Sequence, residues 1–460
     1  MTVHEASFRD PSGYVFTENN TVKRAVLPPY FKQYEALTSG GLYQKLMKKG
    51  LLIPHEEVER KSDRIILQPH RIPFVTYPYE WSFSQYRHAA MLTLKLQKIC
   101  LQHNFTLKDA SAFNITFYEG KPVFIDSLSF DFYTEGEPWR AYKQFISQFL
   151  GPLLLSRYYS ADFLKEMYLY IDGIPVERIA SLLPFATRFH PFLYTHVHLL
   201  ARYERKYQAK TAENTRIKKI SKKALFNILD SLYHYIKKLK PSGATEWGDY
   251  YGKTTYDETA FAEKAALITE WTNEVNAEKI IDLGGNTGVF ARKLPPENKL
   301  ILVADMDHTA VDINYNKIIA DGEKHLIPVV CDVLSPPPAI GFNNTERASF
   351  LQRLREFHPD LCLALALIHH LSLSGNVPFL RSAKFFASFS TYLLLEFPEE
   401  EDPQVQFLLH RKGEFKQHFN FYRQPDFETA YGKFFSIEKQ KRITNTCRTL
   451  YLLKNKGSVR

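Results

Sequence analysis

The chain has 460 residues, enough for two or three domains, and its 45% hydrophobic and 14% aromatic content is ample for packed cores. Its cysteines contain no Cys-x-x-Cys pair, which argues against a disulfide framework and a zinc-finger type of site. The start of the chain is not typical of a signal peptide, and no apolar run approaches the ~18 residues that cross a bilayer. We therefore expect a cytoplasmic protein without a transmembrane segment.

Residues 1–200 predict a separate α+β domain. Within it, an apolar stretch from His88 to His103 predicts a helix. Asp109 and Asn114 follow this helix, and Asp126 comes at the end of a short apolar strand. This order resembles the catalytic loop and the metal-binding aspartate of protein-kinase-like and aminoglycoside-phosphotransferase-like folds. In such sites one carboxylate orients the acceptor hydroxyl, while the asparagine and the second carboxylate hold magnesium.

The same segment departs from the kinase pattern in ways that argue against phosphoryl transfer. Leu107-Lys108 stands where His-Arg precedes the catalytic aspartate, and Ser127-Leu128 follows Asp126 in place of Phe-Gly. Neither a glycine-rich loop nor a nucleotide-binding lysine strand is recognisable. We therefore expect a degenerate kinase-like domain with a vestigial nucleotide site at Asp109, Asn114 and Asp126. An active phosphotransferase and an unrelated α/β domain remain alternatives.

Residues 201–245 predict a basic helical connector. From Arg202 to Lys240 there are 12 Lys/Arg and 3 Asp/Glu, a balance of +9 that equals the formal net charge of the whole chain. Apolar residues recur at three- and four-residue steps, which predicts an amphipathic helix ending near Pro241. The basic face is either a solvated face of a docked helix or a patch for RNA or an acidic membrane surface.

The segment Lys279–Ala291 reads as an apolar strand that ends in a carboxylate, followed by a glycine turn and the start of a helix. Glycines let the backbone turn sharply and approach a ligand closely, and a helix start offers free N–H groups. The segment resembles motif I of class I S-adenosylmethionine-dependent methyltransferases, an acid followed by Gly-x-Gly-x-Gly. Asn286 replaces the middle glycine, and asparagine tolerates left-handed backbone well.

Further apolar runs at regular spacing predict the remaining strands of an α/β fold. Such runs are typical of parallel strands buried on both faces. We expect a Rossmann-like class I methyltransferase domain over 246–460, with a mostly parallel seven-stranded sheet. The predicted parallel strands are 279–283, 299–304, 326–331, 360–368 and 392–397, and the predicted antiparallel pair is 434–440 and 447–454.

The resemblance implies S-adenosylmethionine as the cofactor. In the methyltransferases that this half resembles, the acid after the second strand holds the ribose hydroxyls and the acid after the third contacts the adenine. An aromatic segment before motif I lies over the cofactor in many of them, where a ring attracts a sulfonium. Asp307 competes with Asp305 for the ribose role. The implied cofactor-binding residues are Tyr256, Asp282, Gly284, Gly285, Asn286, Gly288, Asp305, Met306, Asp332 and Val333.

Three residues after the later strands are catalytic candidates: His369, His370 and Glu396. Each is a possible general base, and pocket shaping is the alternative for the histidines. The expected mechanism is in-line displacement of the sulfonium methyl group by an O, N or C nucleophile. The protein then mainly positions and desolvates the reactants, and needs no metal. We expect a small-molecule acceptor. An RNA methyltransferase that uses the basic connector and a non-catalytic cofactor-binding scaffold are the alternatives.

The layout of the whole chain resembles bacterial nodulation-protein NoeA-like methyltransferases. The resemblance rests on Arg9–Gly13, Phe124–Phe130 and Trp139–Tyr142, and on Glu396–Pro398 ahead of Asp402–Val405. It covers nearly the full chain and implies methyl transfer. The acceptor and the oligomeric state stay open.

Overall fold

The protein forms two compact units. The computed structural model describes residues 2–208, 219–242 and 257–457. The units are Met1–Gly243 with Ala339–Ala348, and Ala244–Pro338 with Ser349–Arg460. Residues 339–348 therefore belong to the first unit although the chain on both sides of them belongs to the second. The sequence does not predict this.

The first unit opens with an antiparallel sheet and two helices. Its first elements are β1 (Thr2–Val3), β2 (Gly13–Glu18), β3 (Thr21–Val26), α1 (Phe31–Ser39), α2 (Leu42–Lys48), β4 (His55–Arg60) and β5 (Ile65–Pro69). The five strands pair in the order β1-β2-β3-β5-β4, with both helices inserted between β3 and β4.

The rest of the first unit is mainly helical. Its elements are α3 (Phe83–Gln102), β6 (Phe105–Leu107), β7 (Ile115–Tyr118), β8 (Lys121–Phe124), β9 (Phe130–Phe132), α4 (Tyr142–Phe145), α5 (Gly151–Tyr158), α6 (Val176–Leu182), α7 (Pro191–Leu193), α8 (Leu199–Gln208) and α9 (Lys222–Lys238). β6 pairs with β9 and β7 with β8. The helix predicted near His88 is the long α3, which starts at a capping box of Ser82 and Gln85.

The predicted amphipathic helix of the basic connector is present as α9. Ser221 caps it, and its leucines at 225, 229 and 232 are buried with Ile236. α9 packs against α3, and Lys98 of α3 pairs with Asp230 of α9. The connector helices are thus part of the first unit, with the apolar face of α9 docked. No helix within the described ranges is long and apolar enough to cross a membrane.

Residues 339–348 form a short strap within the first unit. Ile340 and Arg347 exchange backbone hydrogen bonds of 3.1 Å each, which closes the strap into a hairpin. Glu346 is only 2% exposed, and Arg9 Nε donates to its Oε1 at 2.8 Å. The Arg347 guanidinium carbon lies 4.9 Å from the ring centroid of Phe113. Because a buried carboxylate needs a partner, Glu346 fixes the strap to the N-terminal segment.

The second unit is a three-layer α/β structure around one sheet. Its elements are α10 (Glu258–Glu274), β10 (Lys279–Leu283), β11 (Leu300–Asp305), α11 (His308–Asp321), β12 (Leu326–Val330), α12 (Phe350–Phe357), β13 (Leu361–Ala364), α13 (Phe379–Ala387), β14 (Tyr392–Pro398), α14 (Pro403–His410), α15 (Gln424–Tyr431), β15 (Phe435–Arg442) and β16 (Arg448–Asn455).

The seven strands run in the order β12-β11-β10-β13-β14-β16-β15. Pairs among the first five strands are parallel, and β16 is antiparallel to both β14 and β15. The α/β class predicted for this half is therefore confirmed, and the sheet is mixed. Its buried core is aliphatic and includes Ile280, Ile301, Leu326, Leu361 and Leu394.

The strand predicted over 360–368 is too long. β13 ends at Ala364, and the chain turns at Leu365 and Ala366. Ala366 has a φ of +50°, a left-handed conformation that a strand cannot contain and that an alanine adopts only under constraint. The apolar run extends beyond the strand because Ile368 and Leu371, which follow the turn, are also buried.

A buried ionic network joins four elements of the second unit. Lys264 Nζ of α10 donates to Glu396 Oε2 of β14 at 2.6 Å. Arg448 Nη1 of β16 lies 3.6 Å from Glu396 Oε1. The same guanidinium donates from Nε and Nη2 to the two oxygens of Asp402, at 2.6 and 3.3 Å. Asp402 in turn caps α14 by accepting the Gln404 N–H at 2.9 Å.

We expect Arg448→Met to destabilise the second unit by about 3–5 kcal/mol, because Asp402 is then buried without its cation and Glu396 keeps only Lys264. The matched control is Arg442→Met. Arg442 pairs with Glu399 but its side chain is 57% exposed, so its loss should cost less than about 1 kcal/mol. Urea unfolding followed by hydrogen exchange in peptides from 257–338 and 349–457 reads the second unit separately. Equal effects of the two substitutions would contradict the structural role of the network.

Candidate functional site

Asp282 is a buried carboxylate without a hydrogen-bond donor among the described residues. It lies near the carboxyl end of the central strand β10 and is 2% exposed. Burial raises its pKa to about 7, opposed by the charge of Lys264 and reinforced by that of Asp305. A desolvated carboxylate is unfavourable unless something with positive charge or N–H groups faces it. The position therefore fits a cationic ligand group.

The glycine turn after Asp282 is pinned to the next strand. The N–H groups of Gly284 and Gly285 donate to the carbonyl oxygen of Ala304 at 2.8 and 3.2 Å. Gly284 has a φ of +73°, and Asn286 adopts +47°, the left-handed conformation that asparagine tolerates. A Cβ on Gly285 would lie 2.8 Å from the Asp282 carboxyl carbon. Gly285 is thus required for the local packing of Asp282.

Asp305 ends β11 beside this turn. Its Oδ2 accepts the Asn286 N–H at 2.8 Å, and its Oδ1 accepts the Asp307 N–H at 2.9 Å. Burial is the main reason that its pKa rises to about 6. Each carboxylate oxygen can accept more than one hydrogen bond, so Asp305 retains acceptor capacity for a ligand.

Asp307, the competing candidate, has a structural task. Its Oδ1 accepts the Thr309 N–H at 2.7 Å and caps α11. The Met306 side chain, between the two acids, is exposed. The geometry therefore favours Asp305 over Asp307 as the residue that faces a ligand.

Asp332 and Val333 follow β12 and are half-buried. Asp332 Oδ1 accepts the Leu334 N–H at 2.9 Å, which forms a tight turn of the loop. Because β10, β11 and β12 are parallel neighbours, Asp282, Asp305 and Asp332 lie along one edge of the sheet. Tyr256, the aromatic candidate, lies outside the described residues.

All three catalytic candidates interact electrostatically with one guanidinium, that of Arg448. Arg448 pairs with Glu396 and also lowers the pKa of both histidines. The rings of His369 and His370 lie 4.2 Å apart between centroids. Burial is the largest cause of the low pKa of each, and it leaves both imidazoles neutral near pH 7. His369 Nδ1 is buried without a hydrogen-bond partner among the described residues.

Lys264 and Arg448 are not found by sequence reasoning, which includes Asp402 only as part of a NoeA-like motif. Lys264 lies on α10, where its fully buried side chain also approaches the Phe290 ring, with Nζ 4.4 Å from the centroid. Lysine and arginine are rarely buried, and no local pattern marks the exceptions. The one available signal is the position of Lys264 on the inward face of an otherwise apolar helix stripe.

The predicted nucleotide residues of the first unit lie close together. Asn114 Nδ2 donates to Asp109 Oδ2 at 3.0 Å and to Ser129 Oγ at 3.4 Å. The Ser129 hydroxyl donates to Asp126, which also pairs with Arg24 of β3. The sequence did not single out Arg24.

The oxygens of this cluster are already engaged. Burial raises the pKa of Asp126, but the charge of Arg24 and the Ser129 hydrogen bond outweigh it, and the net shift is downward. Gln144 Nε2 donates to Asp109 Oδ1 at 2.6 Å. Burial and the charge of Asp126 raise the pKa of Asp109. Within the described ranges, no group of three or more His, Cys, Asp or Glu side chains is arranged to hold a metal ion.

Comparison with known proteins gives one full-length relative. The chain is 29% identical over 458 residues to nodulation protein NoeA of Rhizobium meliloti (strain 1021), covering 97% of this chain and 94% of that protein. The resemblance to NoeA that the motifs predict is thereby confirmed. No family model matches the chain.

Two solved structures illustrate the matches to part of the chain. The N-methyltransferase NodS of Bradyrhizobium japonicum WM9 aligns at 11% identity and a TM-score of 0.31, over 43% of this chain and 98% of its own. Magnesium protoporphyrin IX methyltransferase (ChlM) of Synechocystis PCC 6803, solved with bound SAH, aligns at 14% identity and a TM-score of 0.33. That match covers 45% of this chain and 92% of ChlM.

We expect Asp282→Asn to stabilise the second unit at pH 8 and to have little effect at pH 4. A carboxyl whose pKa is higher in the folded than in the unfolded state contributes stability at low pH, and this is lost as the pH rises through the folded value. With a folded pKa of about 7, the wild type should weaken between about pH 4 and 7 relative to the variant.

The gain at pH 8 should exceed about 1 kcal/mol, measured from the urea midpoint of exchange in peptides from 257–338 and 349–457. Asp321→Asn, an exposed acid at the end of α11, is the matched control and should give no pH-dependent gain. If the difference in stability between Asp282→Asn and wild type is the same at pH 8 as at pH 4, Asp282 is not the desolvated group that we describe.

Proposed function

We propose that the second unit is an S-adenosylmethionine-dependent methyltransferase that acts on a small-molecule acceptor. The observation that carries this proposal is Asp282, a buried carboxylate near the end of the central strand that has no hydrogen-bond donor among the described residues. It stands at the foot of a glycine turn and beside the half-satisfied Asp305. Full-length similarity to NoeA supports the same conclusion.

The residues present fit the proposed cofactor group by group. S-adenosylmethionine carries positive charge on its sulfonium and amino groups. Such a charge near Asp282 would offset the free-energy cost of burying this carboxylate. The ribose offers two hydroxyl donors, and the remaining acceptor capacity of Asp305 suits it to bind them. Asp332, one strand further along the edge, would face the adenine.

The protein residues then have simple tasks. When bound, the cofactor supplies a methyl group on a good leaving group, so the protein needs mainly to orient the acceptor and exclude water. His369 is neutral because its pKa is low, and its Nδ1, which has no partner among the described residues, would accept a proton from an acceptor hydroxyl or amine or orient it. Glu396 is held between Lys264 and Arg448, which suits it to positioning its neighbours more than to taking up a proton.

We expect wild-type protein to bind S-adenosylmethionine with micromolar-range affinity in calorimetry. Asp305→Ala should lose about 1.5–3 kcal/mol of binding free energy, because a charge-assisted acceptor of two hydroxyl groups is removed. Gly284→Arg should abolish binding, since its side chain would fill the space next to the turn.

Asp321→Ala is the matched control for the loss of an acid in the same unit, and should bind like wild type. Folding of each variant is checked by its hydrogen-exchange pattern. Folded wild type that shows no binding, or Asp305→Ala that binds as tightly as Asp321→Ala, would overturn the assignment.

For the first unit, we propose a kinase-like scaffold that transfers no phosphate. Its support is the convergence of Asp109, Asn114 and Asp126, together with the pairing of Asp126 to Arg24. Phosphoryl transfer depends on metal ions and cations placed around the phosphates. An arginine that already neutralises Asp126 competes with a metal for that carboxylate.

The full-length protein should therefore release no γ-phosphate from ATP with Mg²⁺ above the rate of Asp109→Asn, and should transfer none to protein or small-molecule acceptors. Radiolabelled ATP gives the most sensitive measurement. Turnover by wild type that Asp109→Asn abolishes would show an active phosphotransferase instead.

A further inference from the structure

One surface of the first unit combines exposed aromatic rings with cations. The end of α5, the helical turn Phe185–Phe189 and the C-terminal end of α9 meet there. Ser242 Oγ donates to the carbonyl oxygens of Ser156 and Tyr159 at 3.1 and 3.0 Å, which ties the end of α9 to the end of α5. The Tyr159 hydroxyl donates to the carbonyl oxygen of Leu182, just before the helical turn.

Ring contacts join the helical turn to α9. Tyr235 of α9 stacks on Phe192 at 3.9 Å between centroids and 14° between planes, and His190 packs edge-on against it at 5.6 Å. We call this the aromatic–basic surface. It comprises the rings of Tyr158, Tyr159, Phe185, Phe189 and Tyr235 and the cations Arg157, Arg188, Lys237, Lys238 and Lys240.

Two phenylalanines project from the aromatic–basic surface into water. Phe185 is 66% and Phe189 is 76% exposed, and they lie one turn apart between Pro184 and Pro191. Single exposed apolar residues are ordinary, but a paired aromatic projection bordered by polar groups is typical of an interaction site. The flanking prolines restrict the backbone and hold the pair outward.

The charge of the aromatic–basic surface has one sign. The stretches 155–161, 181–203 and 231–242, which contain all of its residues, include no Asp or Glu. Its five cations are exposed, and none forms an ion pair with another described residue. An uncompensated cluster of this kind attracts a polyanionic partner.

The ring geometry favours a bilayer over a nucleic acid. Single-stranded nucleic acids stack their bases on free aromatic faces. In this surface the rings of Phe185 and Phe189 stand at 74° to each other, Arg188 lies 5.1 Å over Phe185, and Tyr235 is stacked on Phe192, so the rings offer no parallel platform for successive bases. The exposed parts of Phe185 and Phe189 are apolar, which suits the headgroup–acyl boundary of a membrane.

From this geometry we infer that the aromatic–basic surface binds reversibly to anionic lipid bilayers. Phe185 and Phe189 enter the headgroup–acyl boundary, and the surrounding lysines and arginines lie against lipid phosphates. Two inserted rings with a few cations give peripheral and salt-sensitive attachment. The inference is independent of the methyltransferase proposal, because no residue of the second unit takes part.

The test is flotation of full-length protein with vesicles of phosphatidylcholine alone or with about one third phosphatidylglycerol. Wild type should float only with the anionic vesicles, and about 0.5 M NaCl should release it. Phe185→Ser with Phe189→Ser should bind about tenfold more weakly, as should Lys237→Gln with Lys238→Gln. The control is Phe407→Ser with Phe415→Ser, a pair of exposed phenylalanines in the second unit, which should bind like wild type.

Each alternative partner gives a different result. Wild type that does not float with anionic vesicles overturns the inference, and so does a Phe185/Phe189 variant that floats like wild type. A single-stranded RNA oligonucleotide tests the nucleic-acid alternative. If it binds wild type and displaces it from vesicles, but does not bind the Phe185/Phe189 variant, the partner is a nucleic acid instead. If wild type is a dimer and the variant a monomer in sedimentation, the surface joins two copies of the chain. Unchanged hydrogen exchange outside 155–242 confirms that the variants fold.

Discussion

The second unit depends on four charged side chains that are cut off from water. Lys264, Glu396, Arg448 and Asp402 come from a helix, two strands and a helix cap, and each has its partner within hydrogen-bonding or ion-pair distance. Apolar contacts tolerate sliding, whereas a buried ion pair loses most of its value when its geometry changes. The network therefore sets how α10 and α14 meet the sheet, and it ends at the strand edge where the candidate site lies.

The network is balanced, with two cations and two carboxylates. Asp282 lies within reach of the Lys264 charge but outside this balance, and its pKa rises as a result of burial. A protein selected only for stability would replace such a carboxylate. Binding sites tend to retain unfavourable groups and strained backbone that a ligand then exploits. The buried Asp282 and the left-handed Ala366, which follows the neighbouring strand β13, fit this tendency.

The sequence predicted what depends on local pattern. The strands around β10, β11 and β14 follow from apolar runs, and the turn follows from Gly284 and Gly288, because strand burial and glycine conformations are properties of a few adjacent residues. The end of β13 was missed because the apolar run continues into a buried turn. Lys264 and Arg448 were missed because their partners are far apart in sequence. Arg24 was missed for the same reason, since its contact with Asp126 forms only when β3 packs against the loop that follows β8.

The strap at 339–348 makes the first unit discontinuous in sequence. The buried Glu346 carboxylate pairs with Arg9, yet residues 244–338 of the second unit separate the strap from the rest of its own unit. During synthesis the first unit lacks this piece until 244–338 of the second unit have left the ribosome, and the second unit is complete only after 349–460 follow. The first unit therefore stays unfinished while nearly half of the second emerges. A fragment that ends at Gly243 also lacks the strap. Dividing the chain at any single position therefore leaves at least one of the two units incomplete.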